Sequence, residues 1–455
     1  MTTNSNTYFN RTQGTATSNK KGTFSAWIKG MVPGETNSIF TGYTDNNNKI
    51  YLYLSDRLQI YGEISGSQSV YIQTTAVFRD IAAWYHVVVA WDTTQGTSSN
   101  RFKIYVNGEQ ITTFDTSSYP AQDADVYWNK GTTSLIGARY VSSIVNYFYG
   151  NMAAVVFVDG TQLTPTSFGE TDTTSGIWKY KGPAGFTYGD NGFFLKFENN
   201  SNLGLDTSGE TNNFTLNGNG KESIDTPVIS YPTYNFLAQA YTSGSSLTNG
   251  NLTMTNTSGV GQRQYISTFG IETGKWYAEF KLVAIGSTSG SKPYVGVTSY
   301  RDYVGNTYVG GAPGCGLHTG GDIYQGAGSP VSTGTSYTTG DIIGVAVDRT
   351  NSLIYWHKNG TYVSNGSGTG NPSTGANGFN ISTTTAKGGT IGFATSLYDN
   401  GGSWSANFGA GFFGTTAVTS NSGAGEQDDA GEGIFQYDVP SGYYALNTKN
   451  INTYG

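Results

Sequence analysis

Lys49-Ile50-Tyr51-Leu52-Tyr53-Leu54 and, shortly after it, Leu58-Gln59-Ile60-Tyr61-Gly62-Glu63-Ile64 set the reading of the whole chain. Period two dominates both runs, the repeat of a strand whose successive side chains point to opposite faces of a sheet. Upstream, Thr23-Phe24-Ser25-Ala26-Trp27-Ile28-Lys29 reads the same way. Downstream, Trp84-Tyr85-His86-Val87-Val88-Val89-Ala90-Trp91 is apolar without a break and ends at Asp92-Thr93-Thr94, which predicts a central strand covered on both faces. Arg101-Phe102-Lys103-Ile104-Tyr105-Val106 then runs into Asn107-Gly108 and returns through Glu109-Gln110-Ile111, a strong hairpin signal because both turn residues must take positive φ. Further strands are expected at Ser134-Leu135-Ile136-Gly137 and at Gly150 to Val158. A short helical turn is expected at Leu163 to Gly169, and a closing strand at Gly192 to Glu198.

The second half repeats the succession of strand and turn. Gly274-Lys275-Trp276-Tyr277-Ala278-Glu279-Phe280-Lys281-Leu282 alternates, and Tyr294-Val295-Gly296-Val297 follows. Asp341 to Asp348 leads through Arg349-Thr350-Asn351 into Leu353-Ile354-Tyr355-Trp356-His357-Lys358-Asn359-Gly360. Ile391 to Thr395 and Trp404 to Gly409 complete the set, Asn421 to Gly433 reads as a mobile acidic loop, and Tyr443 to Leu446 as a final extended piece. Between the halves, from about Asn199 to Ser258, the composition shifts to Asn, Gly, Ser and Thr with Pro breakers. The expected fold is therefore all-β: two antiparallel β-sandwich domains in tandem, residues 1–200 and 259–455, joined by a connecting segment 201–258, within which Leu252-Thr253-Met254 is alternatively the first strand of the second domain.

Composition agrees with that class and removes several others. A chain of 455 residues is too long for one ordinary core. Only 12% of residues are charged while Gly numbers 64 and Tyr 33, so solubility rests on Thr, Ser and Asn. A net charge of -7 without a Lys/Arg run argues against a nucleic-acid partner, whose phosphates need clustered cations. The single Cys315 excludes an intrachain disulfide framework and reads as a buried thiol. The N-terminal residues carry no cationic segment followed by an apolar one, and no apolar run is long enough to span a bilayer, so neither a signal peptide nor membrane insertion is expected. A polar, Tyr-rich chain resembles extracellular binding modules, and release by cell lysis, as for a virion made in the host cytoplasm, reconciles that character with the missing export signal.

Two family resemblances emerge from these motifs. Phe24-Ser25-Ala26-Trp27-Ile28, Trp84 to Val89, Phe102 to Gly108 and Gly150-Asn151-Met152-Ala153 resemble, in order and spacing, a laminin-G-like, concanavalin-A-type jelly roll. Gly274 to Glu279, Asp341 to Asp348, Ile354 to Gly360 and Asn407-Phe408-Gly409 look like a SPRY domain, itself a lectin-like sandwich. The pairing, with Leu205-Asp206-Thr207-Ser208-Gly209 and Val439 to Asn450 at the domain ends, is similar to tail-fibre and other virion proteins of marine bacteriophages. The resemblance implies a non-enzymatic virion protein, a tail fibre or surface appendage, partnered by other virion proteins and by a host cell-surface glycan or protein. It also makes a homotrimer plausible, although no heptad run is present to drive one. A purely architectural subunit, such as a capsid decoration or tail component, is the alternative, and a polysaccharide-cleaving enzyme ranks third. Laminin-G-like sandwiches also hold calcium at a loop rim through Asp carboxylates, which here implies Asp92, Asp123 and Asp125; no other cofactor is expected.

Candidate chemistry is sparse. Sandwich glycosidases place two carboxylates on one strand about the scissile bond, and no Glu-x-Asp-x-x-Glu pattern occurs: Glu63, Glu198 and Glu279 each stand alone. His86, His318 and His357 are too scattered for a short metal motif; His86 is expected packed and hydrogen-bonded in its strand, His357 packed but exposed. The Gly-rich stretches precede no helix and no Lys-Ser/Thr, so no phosphate loop is expected. Glycan binding uses flat aromatic faces at loop tips, for which Trp128, Tyr140, Tyr147 and Tyr149 are candidates in the first domain and Tyr300, Tyr303, Tyr308 and Tyr324 in the second. Packing in a core or against another subunit is the competing role for each.

Overall fold

The turns show why the chain folds back on itself so often. A computed structural model describes all residues except 1–5, 33, 131, 239–243, 260, 288–292, 302, 304–306, 312, 327, 383–388 and 419–425. In it Asn107 and Gly108 have φ of 50° and 85°, and Asn359 and Gly360 of 50° and 87°, the paired positive values whose twist matches a right-handed ribbon. These pairs join Phe102–Val106 to Glu109–Ile111 and Leu353–Lys358 to Thr361–Tyr362.

The described residues divide into two units, Met1–Val228 and Ile229–Gly455. In the first, an eight-stranded antiparallel sheet runs in the order Phe114–Ser118, Ser67–Val77, Arg57–Ile64, Asn48–Ser55, Asn37–Asp45, Thr133–Ile136, Tyr8–Thr12, Thr215–Asn217. Its partner is a six-stranded sheet in the order Phe193–Leu195, Asn151–Asp159, Lys21–Lys29, Tyr85–Asp92, Phe102–Val106, Glu109–Ile111. The alternation does the sorting. Ile50, Leu52, Leu54, Leu58, Ile60, Val70 and Ile72 point inward to meet Phe24, Ile28, Val87, Val89, Trp91 and Phe157 in one core. Val88, Ala90, Val156 and Val158 face away from that core and are covered by Phe168, Leu163, Phe186 and Tyr188. That second layer explains the unbroken apolar run at 84–91, and Pro165–Ser167 within it is the expected short helical turn.

The second unit is also a sandwich. A nine-stranded sheet has Lys275–Ala284 and Ile342–Asp348 at its centre, and a six-stranded sheet runs Arg263–Ile266, Ile391–Leu397, Tyr294–Ser299, Gly314–His318, Asp322–Gln325, Val331–Ser332. Trp276, Phe280, Val295, Val297, Ile343, Val345, Trp356, Phe393 and Trp404 fill the space between them. Tyr444–Ala445 pairs in parallel with Lys275–Ala284, and a short helix, Thr448–Tyr454, follows, its first turn capped by the Asn447 side chain.

Two expectations require correction. The stretch 201–258 is not a free connection: Thr215–Asn217 pairs with Tyr8–Thr12 in the first unit, and Ser245–Thr248 and Thr253–Asn256 form an edge of the nine-stranded sheet in the second. Its Asn/Ser/Thr composition hid Thr215–Asn217 and Ser245–Thr248, whereas the alternative strand at Leu252-Thr253-Met254 is present as Thr253–Asn256; Leu247 and Met254 of these strands are buried. The acidic segment before the C-terminus is likewise anchored from Glu426 onward. Asp428 is buried, and its carboxylate accepts from the main-chain N–H of Ala430, Glu432 and Ala445 and from Asn450 Nδ2, each within 2.8–2.9 Å. A side chain that satisfies four donors replaces the water an acidic loop would otherwise seek. The remainder of that expectation, 421–425, lies outside the described residues.

Candidate functional site

The outward-facing half of the alternation builds a groove on the eight-stranded sheet. With Ile50, Leu52 and Ile60 turned inward, Tyr51, Tyr53, Tyr61 and Tyr71 lie on the other face of the sheet, Tyr51 buried there and the other three partly exposed. Strand register sets Tyr51 opposite Tyr61, and Tyr61 opposite Tyr71. Their rings form a ladder, Tyr51 to Tyr61 at 6.4 Å and Tyr61 to Tyr71 at 5.8 Å between centroids. With Lys49, Glu63, Arg139 and Val141 they line a shallow depression of about 390 Å³.

Its wall is supplied by the hairpin of Arg139–Val141 and Ser143–Val145. Tyr140 stacks on Tyr43 at 4.2 Å with planes 8° apart, and its carbonyl accepts the Tyr51 hydroxyl, which locks the hairpin to the sheet. That placement carries the Arg139 guanidinium over Tyr51 and Tyr53, 5.6 and 5.4 Å from the ring centres.

The other hydroxyls are ordered by neighbours on the same face. Tyr53 donates to Gln59 Oε1 at 2.8 Å, Tyr71 to Gln73 Oε1 at 3.0 Å, and Tyr61 to Glu63 Oε1 at 2.7 Å. The bond to Glu63, with burial, pushes the Tyr61 hydroxyl up to about 12, and burial raises Tyr51 and Tyr53 as well, so all three stay protonated at neutral pH. Glu63 pairs with Lys49 at 3.2 Å. Arg139 spends only its Nε, on Asn146 Oδ1 at 3.0 Å; its two Nη atoms have no hydrogen-bond partner among the described residues.

The structure scatters the aromatic candidates. Trp128 is fully buried against Phe40, Trp91 and Phe102 and presents no face to a ligand, because Tyr127–Asn129 is a turn folded into the core rather than a loop tip. Tyr140 adjoins the groove. Tyr147 leans on Tyr8 and donates to Ile144 O at 3.1 Å, and Tyr149 is half-buried, so neither lines it.

In the second unit, Tyr300 and Tyr303 donate to the carbonyls of Ser267 and Gln264, holding this stretch against the Arg263–Ile266 strand. Tyr308 and Tyr324 do come together, at 6.2 Å, around Tyr294 and beside His318. Val309 anchors that cluster: a Cβ on Gly316 would sit 2.1 Å from the Val309 carbonyl, so only glycine lets the loop lie flat on the sheet. The sequence does not single out the groove residues Tyr51, Tyr53, Tyr61, Tyr71 and Arg139, because flat aromatic faces for a glycan are expected at loop tips rather than along strands. The signal was the period-two alternation itself, which placed tyrosines of consecutive strands on the face opposite the core.

The acidic and histidine candidates are otherwise engaged. Asp92 accepts from Thr94 and Gln95 and lies 3.4 Å from Lys21; Asp123 pairs with Lys20 at 3.5 Å, and Asp125 with Lys130 at 3.0 Å. Each carboxylate already has its own lysine, and no group of three His, Cys, Asp or Glu among the described residues is placed to hold a metal, so the three do not fit a calcium cradle as they stand. His86 lies in its strand as expected, bonded to Ser25 Oγ at 2.8 Å and Trp178 Nε1 at 2.9 Å. His357, expected exposed, is buried beneath Tyr362 and Tyr437 and bonded to the Tyr277 hydroxyl at 2.6 Å, because the segment before the C-terminus covers its strand. Cys315 is buried, and burial pushes its thiol far up. Among the described residues lining the groove, Glu63 is the one carboxylate.

The fold is an antiparallel β-sandwich in both units, lectin-like and of the jelly-roll class in the first. Residues 3–167 match the family described as the concanavalin A-like lectin/glucanases superfamily. Among solved structures, the chain is similar to the SPRY domain of human HERC1, with 17% identity, coverage of 36% of this chain and 91% of that one, and a TM-score of 0.29. It is also similar to a Bacteroides ovatus protein described as carbohydrate binding, with 18% identity, coverage of 50% and 60%, and a TM-score of 0.33. A heptameric SAP-like pentraxin from Limulus polyphemus matches at 21% identity over 35% of this chain and 71% of its own, with a TM-score of 0.26. No curated protein matches the sequence. No helix of the described residues is long and apolar enough to cross a membrane.

Proposed function

We propose that the chain is an adhesion protein of a bacteriophage particle, a tail fibre or surface appendage, that binds a host surface glycan through the tyrosine groove of its first unit. The groove carries this reading. The partly exposed phenol rings of Tyr53, Tyr61 and Tyr71 give a sugar apolar surface to pack on, and Glu63 and Arg139, which line the groove beside them, supply polar groups that orient hydroxyls. The phage assignment draws on the resemblance of the two domains and their end motifs to virion proteins. Several copies on a particle would turn weak single contacts into firm attachment by raising the effective concentration of the next contact.

Fluorescently labelled protein applied to a panel of bacteria tests the proposal. Labelling that free oligosaccharide competes away, and that Tyr61→Ala weakens, is the expected result. Protein that ignores every cell but adds back to particles lacking it would replace the adhesin with an architectural subunit, and release of reducing sugar would replace it with an enzyme.

A further inference from the structure

We infer that the saccharide taken by this groove is anionic and that Arg139 is the residue recognising its charge; this rests on the groove being the binding face. The lining residues include two cations and one carboxylate, Lys49, Arg139 and Glu63. Lys49 and Glu63 satisfy one another at 3.2 Å, and Lys49 Nζ also donates to Asn46 O and Oδ1. Arg139 is therefore left as an uncompensated charge, in a chain whose formal net charge is -7.

Its position is built rather than incidental. The Tyr140 ring stacked on Tyr43, the Tyr51 hydroxyl on the Tyr140 carbonyl and Asn146 on Nε hold the guanidinium above Tyr51 and Tyr53, with both Nη atoms unpaired among the described residues. A planar fork with free donors suits an anionic oxygen pair, and half-buried aromatic walls strengthen the attraction by excluding water. A neutral sugar would leave those donors to solvent. Carboxylate and sulfate both answer this description, so the shared feature is an anionic group projecting from a sugar ring that lies along the tyrosines.

The test uses the full chain on an array of uronate-, sialate- and sulfate-bearing oligosaccharides, each beside its carboxyl-reduced or desulfated counterpart. The anionic member of at least one pair should bind about tenfold or more tightly than its neutral partner, the scale of charge-assisted hydrogen bonds. Which pair responds distinguishes carboxylate from sulfate. Arg139→Gln should collapse that ratio toward one, while Arg139→Lys, which keeps the charge but loses the fork, should leave an intermediate ratio. Equal binding within every pair, or a preference that survives Arg139→Gln in a variant with unchanged unfolding, overturns the inference. If neutral members bind and Tyr61→Ala abolishes them, the groove stands and only the anionic assignment falls. If no saccharide is retained while the protein still labels bacteria, both readings fall together.

Discussion

Gly360 donates its main-chain N–H to Nδ1 of His357 at 3.0 Å, so the proton of the neutral ring is on Nε2 and points to the Tyr277 hydroxyl, 2.6 Å away. Tyr277 must then donate onward to Glu279 Oε1 at 3.1 Å. Glu279 also accepts from the N–H groups of Gln436 and Tyr437, at 2.8 Å each, and from Asn407 Nδ2 at 3.4 Å, thereby clasping the segment that covers its strand. Burial nevertheless pushes this carboxyl up to about 7, while burial drives His357 down to about 3. The signs oppose one another. A carboxyl raised in the folded state contributes stability that is complete below its unfolded value of 4.5 and is lost as pH rises through about 7; a histidine lowered from 6.5 contributes stability present above 6.5 and lost as pH falls toward about 3. Between pH 4.5 and 6.5 the two slopes offset, and above 6.5 the Glu279 slope alone remains. Glu279→Gln is expected to cost about 1–3 kcal/mol, because an amide nitrogen cannot accept the N–H groups. It should also leave stability rising with pH up to about 6.5 and flat beyond it. Urea denaturation from pH 4.5 to 8 checks this, and a variant with the wild-type pH profile would show that Glu279 does not titrate in that window.

At the scale of strands, the alternating stretches were legible because a one-residue slip would expose an entire core row. Ile50, Leu52, Ile60 and Ile72 therefore face inward as their pattern requires. The groove was not legible, since Tyr51, Tyr61 and Tyr71 become neighbours only through register across three strands, and Arg139 reaches them from a hairpin far along the chain. His357 was misread for the same reason: its strand shows nothing of Tyr437, which closes over it from a distant segment. Thr215–Asn217 and Ser245–Thr248, short edge strands within polar sequence, escaped because pairing rather than composition makes them. Cross-strand fit also makes a sharp demand at Gly344, paired with His357, where an added Cβ would lie 1.9 Å from the ring Nε2. Gly344→Ala should displace the imidazole from Tyr277 and destabilise the second unit by about 1–3 kcal/mol, as overpacked cores do. Chemical denaturation measures it, and an unchanged midpoint would mean that the histidine moves aside freely.

Each unit of the molecule carries its own means of folding. The first holds the core around Phe24, Leu52, Val89 and Trp91 together with the buried Lys29–Asp225 pair, at 2.7 Å, which ties residues near its end back onto the six-stranded sheet. Asp225 also receives Trp84 Nε1 and Asn151 Nδ2, so the charge buried there is met on several sides. The second holds the core around Trp276, Phe280, Val345 and Trp404, and its last strand and helix lie within its own sheet and cap. Both fall within the size at which a single hydrophobic core is self-sufficient. Fragments 1–228 and 229–455 are therefore expected to fold separately, each with one cooperative thermal transition. The fragments also divide the chemistry. Gly344→Ala and Glu279→Gln should act in 229–455 alone, whereas 1–228 should keep the per-site saccharide affinity of the full chain, because every residue lining the groove lies within it. Calorimetry and saccharide titration on the two fragments decide the matter. A non-cooperative 1–228 would deny that the unit is autonomous, and a cooperative 1–228 that had lost affinity would show that the groove alone is not sufficient for binding.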